Sequence, residues 1–77
     1  MDLAAQIEAI LFWKAEPATV AELAQYLSQN ETAITRALLE LTTKLTGRGL
    51  TLVRNNDAVM LGTAPEAGDL IERLAKD

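Results

Sequence analysis

The chain has 77 residues, a formal net charge of −4, and neither cysteine nor histidine. That length allows one small domain, burying about 60% of its unfolded surface, and a hydrophobic share of 49% is enough for a core. The missing residues exclude disulfides, a Cys/His zinc site, a thiolate nucleophile and an imidazole base, and the acidic balance argues against a mainly electrostatic grip on nucleic acid. There is no GxGxxG and no P-loop. The expectation is a protein that is not an enzyme and takes no cofactor. No apolar run approaches the roughly 20 residues of a membrane span. Met1-Asp2-Leu3 lacks the basic opening of a signal peptide, so a soluble, cytoplasmic protein with no membrane contact is expected.

Leu3, Ile7, Ile10 and Leu11 carry the spacing of one helix face and predict a first helix over 2–14. Asp2 suits its start. Ala5, Ala9 and Phe12 form a second stripe on the opposite side, bordered by Glu8. A surface helix keeps that side polar. The stripe either tucks under a neighbouring element or faces a partner. Trp13, about 100° from Phe12, falls at the edge of the inner face and reads as partial core. Pro17 ends this helix, and Ala18 and Thr19 read as extended.

Thr19-Val20-Ala21-Glu22 has capping-box form and predicts a short helix to about Leu27, with Val20, Leu23, Ala24 and Leu27 buried. Asn30 is a suitable N-cap for a third helix from Glu31 to about Thr46. Ile34, Ala37, Leu38, Leu41 and Leu45 form its inner face, and Gly47 reads as its left-handed C-cap. Arg36 with Glu40, and Glu40 with Lys44, are opposite charges one turn apart.

The period then changes. Leu50–Arg54 and Ala58–Gly62 read as two strands around an Asn55-Asn56-Asp57 turn. Thr63-Ala64-Pro65-Glu66 has a second capping-box pattern, predicting a last helix with Ala67, Leu70, Ile71 and Leu74 inward. The order is helix, short extended piece, helix, turn, helix, hairpin, helix. That is the α+β order of a winged helix, a helix-turn-helix core with a β-hairpin wing and a C-terminal helix. The piece near Ala18 is placed to add a third strand beside the wing. Residues 1–77 read as one domain.

Several residue strings resemble a known family. Glu8-Ala9-Ile10-Leu11-Phe12, followed by Glu16-Pro17, resembles the E-A-L-L-F … E-P opening of bacterial segregation and condensation protein B. Glu22-Leu23-Ala24 stands where that family has its second helix. Gly47-Arg48-Gly49-Leu50-Thr51-Leu52-Val53 resembles its G-R-G-L-x-L-V, and Leu61, Thr63, Pro65 and Glu66 fit its L-V-T-x-P-E exit from the wing. The agreement runs without gaps from Glu8 to Leu74. Two places depart from the pattern. Asp57-Ala58-Val59 stands where members often have glycines and a tyrosine, and Lys14-Ala15 replaces a pair of small residues before Glu16.

The resemblance implies a non-enzymatic accessory of the bacterial condensin complex. Such a protein works beside a kleisin subunit and an SMC ATPase in chromosome condensation and segregation, at the nucleoid. It implies a homodimer formed largely by the first of two winged-helix domains, which this chain would match. The second domain supplies much of the kleisin contact in the family. The resemblance brings no catalytic residues.

Two kinds of partner compete for such a fold. The alternative function is a small DNA-binding transcription regulator, with the third helix in the major groove. Arg36, Arg48 and Arg54 are its candidate contacts. Leu39 shares the outward side with Arg36, and Glu40 is close by, so no basic cluster able to neutralise several phosphates emerges. A protein partner, above all a second copy, has more support. Its candidate interface residues are Ala5, Ala9, Phe12, Leu39, Val59 and Leu61. Val59-Met60-Leu61 is a continuous apolar run, so both faces of the wing are expected to be covered, one by the core and the other by the last helix or a second chain. A generic adaptor unrelated to chromosomes is a third reading.

Overall fold

Three side-chain caps start the helices in the computed structural model, which describes residues 1–76. Asp2 Oδ1 accepts the Ala5 N–H at 2.8 Å and opens α1, Leu3–Lys14. Thr19 Oγ1 accepts the Glu22 N–H at 3.0 Å, and Glu22 Oε1 accepts the Thr19 N–H at 2.8 Å. That predicted capping box opens α2, Val20–Leu27. Asn30 Oδ1 accepts the Ala33 N–H at 2.8 Å and opens α3, Glu31–Lys44. Each cap satisfies a donor that the helix cannot. Left-handed residues, Ala15 at φ 57° and Ser28 at φ 54°, end the first two helices. α3 stops at Lys44 rather than Thr46, because the Thr46 N–H turns to the Thr43 carbonyl at 3.2 Å and tightens the last turn. Gly47, at φ 79°, then reverses the chain instead of capping the helix directly.

The sheet has three antiparallel strands, β1 (Ala18–Thr19), β2 (Leu50–Asn55) and β3 (Ala58–Thr63), in the order β1-β3-β2. The predicted third strand is therefore present, and β3 is central. In the hairpin Leu50 faces Thr63, Leu52 faces Leu61 and Arg54 faces Val59. Asn55 pairs with Ala58, so the turn is Asn56-Asp57, with Asn56 at φ 59°. Asparagine tolerates that conformation, which matches the twist of a hairpin.

Ile7, Leu11, Leu23, Ile34, Leu38, Leu41 and Val59 are essentially inaccessible and form one aliphatic core with Ala4, Ala18 and Ala37. No polar or charged residue is buried among the described residues. This is the α+β winged helix that the element order implies.

Four expectations need correction. Trp13 is 84% exposed, since it lies about 200° around the helix from the buried Leu11. Thr63 is the last residue of β3 and makes no cap. The position before the next turn is Ala64, which has no side-chain cap bond. The tail is a 3-10 turn, Pro65–Ala67, followed by α4, Gly68–Ala75. Leu70, Ile71 and Leu74 are exposed, not inward, because the Ala64 N–H donates to the Gly49 carbonyl at 2.8 Å and directs the chain off the body. Finally, Glu40 pairs with Lys44 at 3.2 Å, while Arg36 makes no ion pair among the described residues.

Lys44 also reaches Asp2 Oδ2 at 2.9 Å, tying the end of α3 to the start of α1. That bond, then the Ala5 N–H, holds the Asp2 carboxyl below the usual aspartate range. The Thr19 backbone and hydroxyl bonds do the same for Glu22. Both folded values lie below the unfolded ones, so their contribution is complete above about pH 5 and fades as pH falls through the folded values. The urea midpoint is therefore expected to drop between pH 7 and pH 3. Asp2→Asn keeps a capping oxygen but loses the charge, so it should shrink that drop. Leu38→Ala, at a site with no exposure, should cost roughly 2–5 kcal/mol in the same melts, much of the stability of so small a domain.

Candidate protein-interaction surface

The three aromatic residues are all outside the core. Phe12 is 75% exposed, Trp13 84% and Tyr26 50%. Exposed aromatics gathered with other apolar side chains mark interaction sites more often than they mark packing defects. Phe12 and Trp13 point about 100° apart on α1, so they serve two different faces.

The Phe12 face joins α1 to the wing. Met1 ahead of α1, Ala5 and Ala9 from α1, and Leu50 and Leu61 from the sheet line a shallow hollow at one side of Phe12. Ala15, Leu50, Met60 and Leu61 line a second hollow at its other side. Phe12, Leu50 and Leu61 border both, so the hollows form one apolar surface with a protruding ring in its middle. Glu8 is its one charged lining residue. Ala9 is exposed and Ala5 and Leu61 are half-buried, and the small alanines leave room for close approach. The structure thus brings together Ala5, Ala9, Phe12 and Leu61.

Val59 does not belong with them. It has no exposure, because it sits on the central strand and faces the helices as part of the core. The outer face of the hairpin is different again. Val53 is 43% exposed and leans over Gly62, where an added Cβ would lie 2.8 Å from Val53 Cγ2. That close approach needs the absence of a side chain at Gly62. The last helix does not cover this face.

Leu39 stands apart, 64% exposed on α3, in a hollow it shares with Thr32, Thr35, Arg36 and Glu31. Arg36, Arg48 and Arg54 are all exposed, on α3, the following loop and β2 respectively. Glu31 accompanies Arg36, and Asp57 occupies the wing tip near Arg54. Phosphate binding calls for several cations acting together, and these three are dispersed over separate elements.

Sequence reasoning missed two contributors. Leu50 is 37% exposed and borders both hollows. Its apolar side chain at the first position of the expected Leu50–Arg54 strand was the available signal. The other is a cleft formed by Ile10, Trp13, Lys14 and Tyr26. There Lys14 Nζ lies 5.5 Å from the Tyr26 ring centre and 3.5 Å from Glu16. No helix among the described residues is long and apolar enough to cross a membrane.

Comparison with known proteins gives one family. The profile for Segregation and condensation complex subunit ScpB matches residues 5–77. Among solved structures, the fold is similar to the dimer of ScpB N-terminal domain complexed with ScpA peptide. The TM-score is 0.84 at 24% identity, covering 92% of this chain and 91% of that one. It is also similar to ScpB from Mycobacterium tuberculosis, with a TM-score of 0.87 at 24% identity, covering 100% of this chain and 51% of that one. The chain thus spans about half the length of the Mycobacterium protein. No curated protein matches.

Because Trp13 is exposed, Trp13→Ala should change the stability read from a thermal melt by no more than the range typical of surface changes, about ±0.5 kcal/mol. Circular dichroism is the probe of choice, since the substitution removes the lone tryptophan. A loss of several kcal/mol would return Trp13 to the core.

Proposed function

The chain belongs to the family of Segregation and condensation complex subunit ScpB, and on that premise we propose that it is a non-enzymatic interaction domain acting by self-association. The observation that carries this reading is Phe12, 75% exposed between two apolar hollows that share Leu50 and Leu61. A knob flanked by hollows is self-complementary. In a two-fold dimer each copy gives its ring and receives the other's. Burying such a patch also supplies stability that a small core lacks.

In this reading the chain works as one winged-helix domain, the counterpart of the N-terminal domain of a longer family member. The similar solved domain is a dimer carrying a ScpA peptide, which supports a dimer that contacts a kleisin-type subunit. Its place is then beside a kleisin and an SMC ATPase in chromosome condensation and segregation, in the cytoplasm at the nucleoid. The mechanism is apolar burial and not chemistry. Leu39 is a further contact candidate on a separate face.

Sedimentation equilibrium over a concentration series tests the proposal. The chain is expected to dimerise, and Phe12→Ala to weaken the dimer by roughly thirtyfold, as for a central interface residue. The melt of the dilute, monomeric protein should hardly move. A wild-type monomer at every accessible concentration defeats the proposal, as does Phe12→Ala unfolding the domain. Titration with duplex at low salt should give no saturable binding. Salt-dependent saturation would favour the DNA-binding regulator through Arg36, Arg48 and Arg54.

A further inference from the structure

Glu8 is out of keeping with the rest of the Phe12 face. It is half-buried on α1, yet among the described residues it forms no ion pair and no side-chain hydrogen bond. Every other described carboxylate is exposed, apart from that of Glu22, whose oxygen is taken up by the capping box.

The groups around Glu8 offer it no counter-charge. One turn away on α1 stand Ala4, Ala5, Leu11 and Phe12, and the sheet side of the hollow is Leu50 and Leu61. The Met1 ammonium acts on Asp2, whose carboxyl it helps to hold in the charged form. Lys44, the cation of α3 nearest the start of α1, is held by Asp2 at 2.9 Å and Glu40 at 3.2 Å. Arg48 precedes Leu50 in the loop before β2, exposed and outside both hollows.

Two-fold symmetry turns this arrangement into a constraint. An isologous interface sets a patch against a copy of itself. Glu8 has the one charged side chain among the residues lining the two hollows. The facing copy therefore brings no cationic side chain to meet it, and adds a second carboxylate. Filling the hollow with the partner's ring strips water from a charge that nothing pairs, which costs far more than covering a neutral amide of the same shape.

We propose that Glu8 sets the strength of self-association. It is a charged brake within an apolar face, and it keeps the dimer weak and reversible until the carboxylate is neutralised. The inference rests on the dimer reading above and deepens it by naming the residue that limits the affinity. Association then takes up protons, and the dimer tightens as pH falls. The chain has no histidine, so no ordinary side chain titrates between about pH 7 and pH 5, and the effect of Glu8 stands alone there. Asp2 and Glu22 are held below the usual carboxylate range and titrate lower still, and their protonation loosens the fold instead.

The test is sedimentation equilibrium of the 77-residue chain at about pH 7 and about pH 5. Three chains are compared: wild type, Glu8→Gln, and Glu72→Gln as a charge-matched control at an exposed site outside both hollows. Glu8→Gln is expected to tighten the dimer roughly tenfold at the higher pH, about threefold for each of the two carboxylates removed. The control should leave it unchanged. The wild-type dimer should tighten by a similar factor at the lower pH, and the Glu8→Gln dimer should not. Melts of the dilute proteins check that each variant folds. A Glu8→Gln dimer that is weaker than wild type overturns the brake, because the second copy must then supply a counter-charge. Equal affinity in the two chains overturns it as well. So does equal tightening in the control, which assigns the effect to repulsion between acidic chains. The wild-type series needs no variant: a dimer of the same strength at both pH values also overturns the brake. In each of these cases a dimer that Phe12→Ala weakens leaves the Phe12 reading standing, whereas a wild-type monomer at both pH values overturns both.

Discussion

Ile7 and Leu11 of α1 come together with Ile34, Leu38 and Leu41 of α3 and Val59 of β3, and the rest of the domain depends on that packing. All these side chains are branched aliphatics, and no polar group is buried with them among the described residues. Nothing inside therefore has to be satisfied by a hydrogen bond, and the core gains uniqueness from shape alone. The polar work is moved to the margins, where Asp2, Thr19 with Glu22, and Asn30 serve the helix starts. The core is small and wholly aliphatic. Phe12, Trp13 and Tyr26 lie outside it, and a domain of marginal stability is left with apolar surface to place.

The wing is fixed to this core along one edge and from one face. β1 has only two residues, yet it pairs Ala18 with Val59 and Thr19 with Ala58, and the Val20 N–H adds a bond to the Asp57 carbonyl at 3.2 Å. The connection between α1 and α2 is thereby stitched to the hairpin. Val59, buried at the same point, anchors the strand from beneath. The hairpin then stands as a rigid wall beside α1, and Leu50 and Leu61 are held next to Phe12. The candidate interaction surface is in the main a product of the core packing of α1 against the hairpin.

Features set by local chemistry were readable in advance. A Thr with Glu three residues later, an Asn before a helical stripe, and Asn-Asp between apolar runs each specify a backbone bond or angle over a few residues. They appear at Thr19, Asn30 and Asn56 as expected. The inner stripe of α3 was equally plain, because helical spacing and burial coincide at Ile34, Ala37, Leu38 and Leu41. Trp13, Val59 and α4 were not readable in the same way. Periodicity says which residues share a face, and it does not say what lies opposite. Val59 and Leu61 alternate onto one side of β3, yet the first lies under the helices and the second at their edge. Ala67, Leu70, Ile71 and Leu74 carry as good a stripe as any helix here. Whether that stripe meets its own core turns on one bond, Ala64 to Gly49, between residues far apart in sequence. Capping pattern failed at Thr63 for a related reason: pairing with Leu50 in the ladder won over the cap.

α1 links stability to association. One side of it, Ala4, Ile7 and Leu11, is the core, and another, Ala5, Ala9 and Phe12, is the proposed interface. Both sides hang on a helix of 12 residues, near the length at which a helix alone is barely stable in water. Docking the outer side therefore favours the helical state that the inner side requires, and loosening the core removes the platform on which Phe12 stands. By mass action, the proposed dimer would make the apparent stability of the domain rise with its own concentration. The Asp2–Lys44 bond, at the junction of α1 and α3, lies on the same path.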